Sequence, residues 1–240
     1  MINPGNLLPI EHRAYHSVKR EILAHAYDLG AAGARLPSER DWCDLLVVSR
    51  ATVRQALHAL EMEGQIQRKP GRGWYVSAPA LRFYLNKHVP FTYTAVQQGR
   101  KPSWQKVAVV REIPPPEFAV EFGIRKNRRV PKIQVLLKLD SVAVGLESSY
   151  LNPLCYPDPR VIEHELPISD ELQRISGSPL HYARASIKST SCGEYAAALM
   201  EVHAESPALL VTQWVEADDE ISIMIYETIW LASAVEFILE

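Results

Sequence analysis

The stretch that most constrains this chain is Leu36–Val76, LPSERDWCDLLVVSRATVRQALHALEMEGQIQRKPGRGWYV. Ser38 is suited to cap a helix N-terminus, and Asp41, three residues on, completes a capping box. Trp42, Leu45 and Leu46 recur at helical spacing and predict one apolar face. After Val47-Val48, Ser49 caps a second helix that buries Val53, Ala56, Leu57 and Leu60, at steps of three and four. The other side of that helix carries Arg50, Thr52, Arg54 and Gln55. Arg50 and Arg54 lie one turn apart and leave the same side, a spacing at which like charges weaken a helix slightly. An anionic partner would offset that cost, and duplex DNA is one. A helix fits the major groove, Arg grips guanine with two hydrogen bonds, Thr and Gln reach edges or phosphates, and the helix N-terminus at Ser49 offers N–H donors. Gln65–Lys69 and Trp74–Val76 flank Pro70-Gly71-Arg72-Gly73, a turn by composition, and predict a two-stranded ribbon with Arg68, Lys69 and Arg72 at or near its tip. Together these elements predict a winged helix-turn-helix. An ordinary solvated arginine face is the alternative, and the joint presence of caps, turn and wing weighs against it.

Length and charge fit a DNA reader attached to something else. The 240 residues leave room for one large or two modest domains, and 47% hydrophobic with 22% charged content is that of a globular chain. No apolar run reaches transmembrane length, and MINPGNLLPI lacks the basic start and apolar core of a secretory signal, so the expected compartment is the cytoplasm, with no membrane partner. Net charge is −2, but unevenly spread: residues 11–77 hold 10 Lys+Arg against 8 Asp+Glu, the remainder 16 against 20. A weakly basic head on an acidic body follows. The three cysteines, Cys43, Cys155 and Cys192, are too far apart for a thiolate metal site and are expected to be free, Cys43 in the core. His12 and His16 could share a helix face but lack a third ligand. No metal, cofactor or catalytic residue is expected.

The rest of the chain reads as follows. Tyr15–Leu29 is a buttressing helix with Val18, Ile22, Leu23, Ala26 and Leu29 on one face. Residues 78–92 form a joint in which Leu81, Phe83, Tyr84 and Leu85 are too apolar for a free tether. Thr92–Gln98 is a short helix. Strands are expected at Trp104–Glu112, Val130–Leu139, Ala143–Leu151, Leu180–Ser191, Ala208–Glu216 and Ile221–Leu231, the last two joined around Asp218-Asp219-Glu220. Pro115 or Pro116 opens a helix with Phe118, Ala119 and Phe122 on one face, Ser169 caps another at Glu171–Ile175, and Gly193–His203 is a third, packing through Tyr195, Ala196, Leu199, Met200 and His203. Strands with interspersed helices and short hairpins predict an α+β fold, with domain limits of 10–77, 78–92 and 93–240.

The motifs LPSER, VSRATVRQAL, the Glu63-Gly64 pair and GRGWYV resemble the DNA-binding domain of the GntR superfamily. That resemblance implies groove contacts from Arg40, Arg50, Thr52, Arg54 and the wing glycine Gly71. Trp74 stands where Thr is usual, which implies altered wing packing. The second half resembles the UTRA effector domain of the HutC subfamily, through the Arg125–Arg129 loop after Gly123-Ile124, the Asp140-Ser141 turn, LESSYL before a proline-containing loop, and the run to Val235-Glu236-Phe237. It implies a chorismate-lyase-like mixed or antiparallel sheet that binds a small molecule. A related class with an all-helical, metal-binding second domain is disfavoured by the strands.

Set against the UTRA pattern, this chain departs where phosphosugar-sensing members carry two arginines and a glutamate: Val135, Leu137 and Met224 stand there, with Trp230 at an aromatic position. A buried phosphate needs charged or multiple N–H partners, so a phosphosugar is disfavoured. Lys138, Glu147, Arg184, Tyr226 and Trp230 remain as candidate effector contacts. The expectation is a DNA-binding regulator, a repressor, that holds a near-palindromic operator as a homodimer and responds to a metabolite. Two alternatives stay open: a constitutive DNA binder with a degenerate pocket, and an enzyme on the lyase-like fold.

Overall fold

The computed structural model describes residues 10–29, 33–69, 71–84, 90–156, 168, 181–216 and 222–238. The expected helix at Glu171–Ile175 with its Ser169 cap, and the turn Asp218-Asp219-Glu220, lie outside these residues. The chain opens with helices α1 (Ile10–Leu29), α2 (Glu39–Leu46) and α3 (Arg50–Met62), followed by the hairpin β1 (Ile66–Lys69) and β2 (Gly73–Val76). Val18, Ile22, Ala26, Trp42, Val53, Ala56, Leu57, Leu60, Ile66 and Trp74 make one buried cluster, with Cys43 packed against its edge. Two residues assigned to apolar faces are not in that core. Leu45 is 66% exposed and Leu29, the last residue of α1, 38%. α2 is eight residues long and buries one side chain fully, Trp42, so its apolar stripe is narrower than the spacing of its leucines suggests.

Local chemistry sets the ends of these helices. The Asp41 amide donates to Ser38 Oγ at 3.2 Å while Asp41 Oδ2 accepts from the Ser38 amide at 2.9 Å, the reciprocal capping box. Ser49 Oγ accepts from the Thr52 amide at 3.2 Å. Between the two helices Val47 turns the chain with φ of 53°, in the left-handed region, and is 89% exposed. A β-branched residue there is a steric outlier, tolerated because the α2 cap and the Ser49 cap fix both sides of the turn. In the wing, Trp74 is buried directly opposite Arg68, whose guanidinium lies 5.7 Å from the indole centroid, and Lys69 lies 4.8 Å from the Tyr75 ring.

The joint is structured. β3 (Leu81–Tyr84) pairs in parallel with the last strand, β10 (Val235–Ile238), and Leu81 is fully buried. After α4 (Phe91–Gln97) come β4 (Pro102–Glu112), α5 (Pro116–Glu121), β5 (Val130–Leu139), β6 (Val142–Leu151), β7 (His181–Ser191), α6 (Gly193–Met200), β8 (Pro207–Glu216) and β9 (Ser222–Leu231). Among the described residues these strands form one six-stranded antiparallel sheet in the order β4-β5-β6-β9-β8-β7. α6 is shorter than expected. Glu201 adopts the left-handed region with φ of 55° and closes it, leaving His203 outside and exposed, while Tyr195 is 55% exposed.

Because side chains alternate along a strand, the sheet has two faces with separate cores. One carries Ile133, Val135, Leu137, Met224 and Trp230 and is covered by Leu81, Phe83, Phe91, Val235 and Phe237. The other packs Leu136 and Leu146 under α6, and Tyr150 and Ile225 under Phe118 and Phe122. Cys192 is buried on this second face, and burial pushes its thiol up to about 11. Cys155 is exposed on the loop after β6. None of the three cysteines is in a disulfide.

Two substitutions test this account. Val47→Gly removes a left-handed β-branched residue worth about 1–2 kcal/mol of strain and adds about 0.5–1 kcal/mol of backbone entropy cost. The expected result is a higher urea midpoint, and a lower one would refute the strain at Val47. At Gly145 an added Cβ would lie 2.8 Å from Trp230 Cε3. Gly145→Ala should therefore destabilise the chain by about 1–3 kcal/mol through overpacking, read as a fall in the same midpoint.

Candidate nucleic-acid interface and effector face

On the reading side, α3 presents Arg50 and Arg54 to solvent, with side chains 68% and 58% exposed. Both guanidiniums converge on one oxygen, Glu39 Oε2, at 3.1 Å from Arg50 Nε and 2.7 Å from Arg54 Nε. Partial burial alone would raise the Glu39 carboxyl; the hydrogen bonds from Arg54 and Arg50 outweigh it and hold it below its ordinary value. The carboxylate uses the Nε edge of each fork, which leaves the terminal nitrogens as donors toward a ligand. Sequence periodicity missed Glu39, since it sits on a different helix and nothing local marks it as the partner of α3.

The other expected contacts surround this fork. Arg40 is 90% exposed on α2, with Asp44 3.9 Å away. Ser49 and Thr52 share a hydroxyl hydrogen bond of 2.9 Å at the α3 N-terminus. Gly71 sits at the wing tip with φ of 70°. Arg68 and Lys69 lean over Trp74 and Tyr75, so their aliphatic stems pack while their charges stay outside. Arg72 Nη1 lies 3.5 Å from Glu201, just beyond α6, which brings the wing against the sheet domain. A second contact lies nearby, where a Cβ on Gly64 would fall 3.0 Å from Ser233 in the β9–β10 turn.

The five candidate effector contacts do not form one site. Glu147, Tyr226 and Trp230 share the face covered by β3, α4 and β10: Glu147 pairs across the strands with Val135 and Thr228, Tyr226 with Ser149, and Trp230 with Gly145. Lys138 and Arg184 lie on the opposite face. Lys138 Nζ donates to Gln105 at 2.9 Å. Arg184 stacks 4.2 Å from the Trp214 ring centroid and is ion-paired with Glu121 of α5. Grouping all five is therefore corrected: strand alternation puts the two cations beneath α5 and α6, each with its own partner.

On the first face the Trp230 indole lies over Gly145, with Phe83 and Phe91 at 5.4 and 5.6 Å between ring centroids, and Phe237 stacks on Phe83 at 5.6 Å. Glu147 Oε1 accepts from the buried Ser149 hydroxyl at 3.0 Å. Burial pushes the Glu147 carboxyl above the usual range, against that hydrogen bond. Val135, Leu137 and Met224 are buried on this same face, so the positions where the UTRA resemblance implies charge are packed with hydrocarbon. Phe83 and Phe91, on the joint, were not among the expected contacts. The apolar character of the joint was the signal that it docks, but not where.

Comparison with known proteins agrees with both halves. The family described as "Bacterial regulatory proteins, gntR family" matches residues 10–76, and "UTRA domain" matches residues 97–236. The chain is 34% identical over 126 residues to the Uncharacterized HTH-type transcriptional regulator YihL of Escherichia coli (strain K12), a match that spans 52% of this chain and only about half of that relative, 53%. It is 24% identical over 210 residues to the HTH-type transcriptional repressor NagR of Bacillus subtilis (strain 168), covering 88% of this chain and 85% of that one. It is 29% identical over 209 residues to the HTH-type transcriptional repressor PhnF of Mycolicibacterium smegmatis, covering 87% and 84%. The crystal structure of PhnF from Mycobacterium smegmatis superposes with a TM-score of 0.62 at 26% identity, over 93% of this chain and 98% of that one.

Arg50→Ala and Arg54→Ala should each weaken binding to the cognate DNA site by about 1–3 kcal/mol if the fork contacts bases. Glu39→Gln should instead narrow the gap between cognate and random DNA, because it removes the group that orients both forks. Fluorescence anisotropy on matched duplexes reads both effects, and unchanged affinity in both arginine variants would sink the fork as the reading element.

Proposed function

The chain belongs to the GntR family of bacterial regulatory proteins, with a UTRA domain behind its winged helix, and is a transcriptional regulator; we propose that it is a repressor that holds a near-palindromic operator as a homodimer and lets go when a small molecule occupies the UTRA face. The observation that carries this reading is the exposed Arg50–Arg54 fork, fixed by Glu39 at the start of a doubly capped helix. α3 enters the major groove, with Arg40, Ser49, Thr52 and Gly71 meeting backbone or base edges and Arg68, Lys69 and Arg72 adding charge along the wing. Two copies read two half-sites, because a two-fold protein matches a two-fold operator. The working division is 10–77 for the reading head, 78–92 for the joint and 93–240 for the effector domain, in a cytoplasmic protein that carries out no catalysis.

Coupling needs the effector to favour one arrangement of the heads over another by about 1–3 kcal/mol. Contact of the wing and the α3–β1 turn with the sheet domain, through Arg72–Glu201 and Gly64–Ser233, supports such coupling within one chain. The half-buried Glu147 carboxylate beside the aromatic cluster of Trp230, Phe83 and Phe91 favours a ligand-responsive regulator over a constitutive binder.

DNase footprinting of the full chain on DNA flanking its own gene is the test. The expected pattern is a pair of protected half-sites related by two-fold symmetry, with an affinity that falls when a thermal-shift hit from a metabolite screen is added. Binding no tighter than to random DNA would refute the regulator's proposed operator, and affinity indifferent to every hit would refute effector control.

A further inference from the structure

The effector face holds a carboxylate, Glu147, that is ion-paired with no described residue. Glu147 is half-buried among Val135, Thr228 and Ser149 on the strands around it, and among the described residues its hydrogen-bond partner is the Ser149 hydroxyl at 3.0 Å. Buried carboxylates are ordinarily paired or hydrogen-bonded several times over. Two cations near this face, Arg82 and Arg100, are held by other partners. Arg82, on the covering strand β3, points outward to Glu236 at 3.0 Å. Arg100 is tied to Asp140 and to the Pro79 carbonyl at the end of the sheet. Lys106 lies on the edge strand opposite Val135, exposed and one strand further from Glu147.

The surroundings of this carboxylate are aromatic. Trp230 is paired with Gly145, two residues before Glu147 on β6, so Trp230 and Glu147 are diagonal cross-strand neighbours on one face, with backbones about 7–8 Å apart. Phe83 and Phe91 stand against the same indole, and half-buried Tyr226 lies opposite Ser149 on the other side of Glu147. A half-buried acid with Trp230 and Tyr226 as its diagonal neighbours suits one kind of ligand. A phosphate or carboxylate would meet like charge and no guanidinium. A polyol would meet Val135, Leu137 and Met224, which offer no hydrogen bonds. A cation gains both an ion pair and cation–π attraction, strongest at Trp.

We propose that the effector of this protein is a small organic cation, a primary or quaternary amine with an apolar body, whose nitrogen sits on Glu147 and whose body lies against Trp230 and Phe83. The proposal rests on the reading of this face as the effector site and names the chemistry it selects. Burial pushes the Glu147 carboxyl up, and a cation seated against it favours its charged form.

The test is a charge series at constant shape on the full-length protein, by calorimetry and by operator release. Phenethylamine and benzyltrimethylammonium are the cations, 2-phenylethanol the neutral analogue, phenylacetate the anion and glucose 6-phosphate the phosphosugar. The cations should bind at least tenfold tighter than the neutral analogue and the anions, and should lower operator affinity. Glu147→Gln, similar in shape but uncharged, should erase at least tenfold of the cations' advantage and leave 2-phenylethanol unchanged, while its melting curve reports folding. Tighter binding of an anion or neutral compound, with operator release, would overturn the cation assignment and leave effector control standing. Cations that bind without touching operator affinity, or a Glu147→Gln variant that keeps the preference, would overturn the assignment to this face. Failure of every compound to bind would overturn the proposal outright.

Discussion

Everything on the DNA side depends on one carboxylate. Arg50 and Arg54 repel each other along α3, and an isolated helix would let both side chains wander through solvent. Glu39 stops this from the neighbouring helix by accepting from both Nε groups on a single oxygen. The geometry requires that α2 cross α3 near its N-terminus, which in turn requires the tight turn at Val47 and the two serine caps. The caps therefore do more than end helices: they fix the distance from which a carboxylate on one helix can hold two cations on the next. Surface ion pairs of this kind add little to stability. If the fork contacts DNA as proposed, the benefit is preorganisation, since the rotamer entropy of two long side chains is spent before any DNA arrives.

The sheet domain works by a different constraint, the period of two along each strand. It sorts residues into one face roofed by α5 and α6 and another roofed by the joint and the last strand. On the first, two cations are ion-paired, Arg184 with Glu121 and Lys132 with Glu112 at 2.8 Å, and half-buried Glu227 accepts from the Thr212 hydroxyl at 3.4 Å. On the second, hydrocarbon and aromatic rings surround Glu147. A fold under selection for stability alone gains nothing from that carboxylate, because an apolar side chain of the same volume would pack there without the desolvation cost.

How much of this was legible in the chain depended on how local the signal was. The helix-turn-helix could be read almost residue by residue, because caps, heptad-like spacing and the glycine-rich wing all act within a few positions. Val47 was harder, since the left-handed turn it occupies is normally marked by glycine and here is not. Strand positions were also readable, but which residues share a face across strands was not. Register is set by turns and bulges, and irregularities fall between Lys106 and Ala108, Leu137 and Lys138, and Tyr182 and Arg184. Two of those lie beside the two cations wrongly grouped with Glu147. Contacts between distant segments, such as Glu39 with α3 or Phe83 with Trp230, left no trace in spacing at all.

The joint carries the consequence of that last contact. β3 begins five residues after the wing ends at Val76, and its backbone is paired along its length with β10. The same strand supplies Phe83 to the aromatic wall around Trp230, while the Arg100 guanidinium holds the intervening Pro79 carbonyl at 2.9 Å. A body entering beside Trp230 must therefore share space with a residue of the connector itself. Under the proposed effector control, displacing Phe83 would move β3, and with it the short segment that leads back to the N-terminal domain. No long chain of side chains is needed to carry the message, because packed cores shift between discrete arrangements and do not deform smoothly. The distance from ligand to head is covered by one strand and a short segment of backbone.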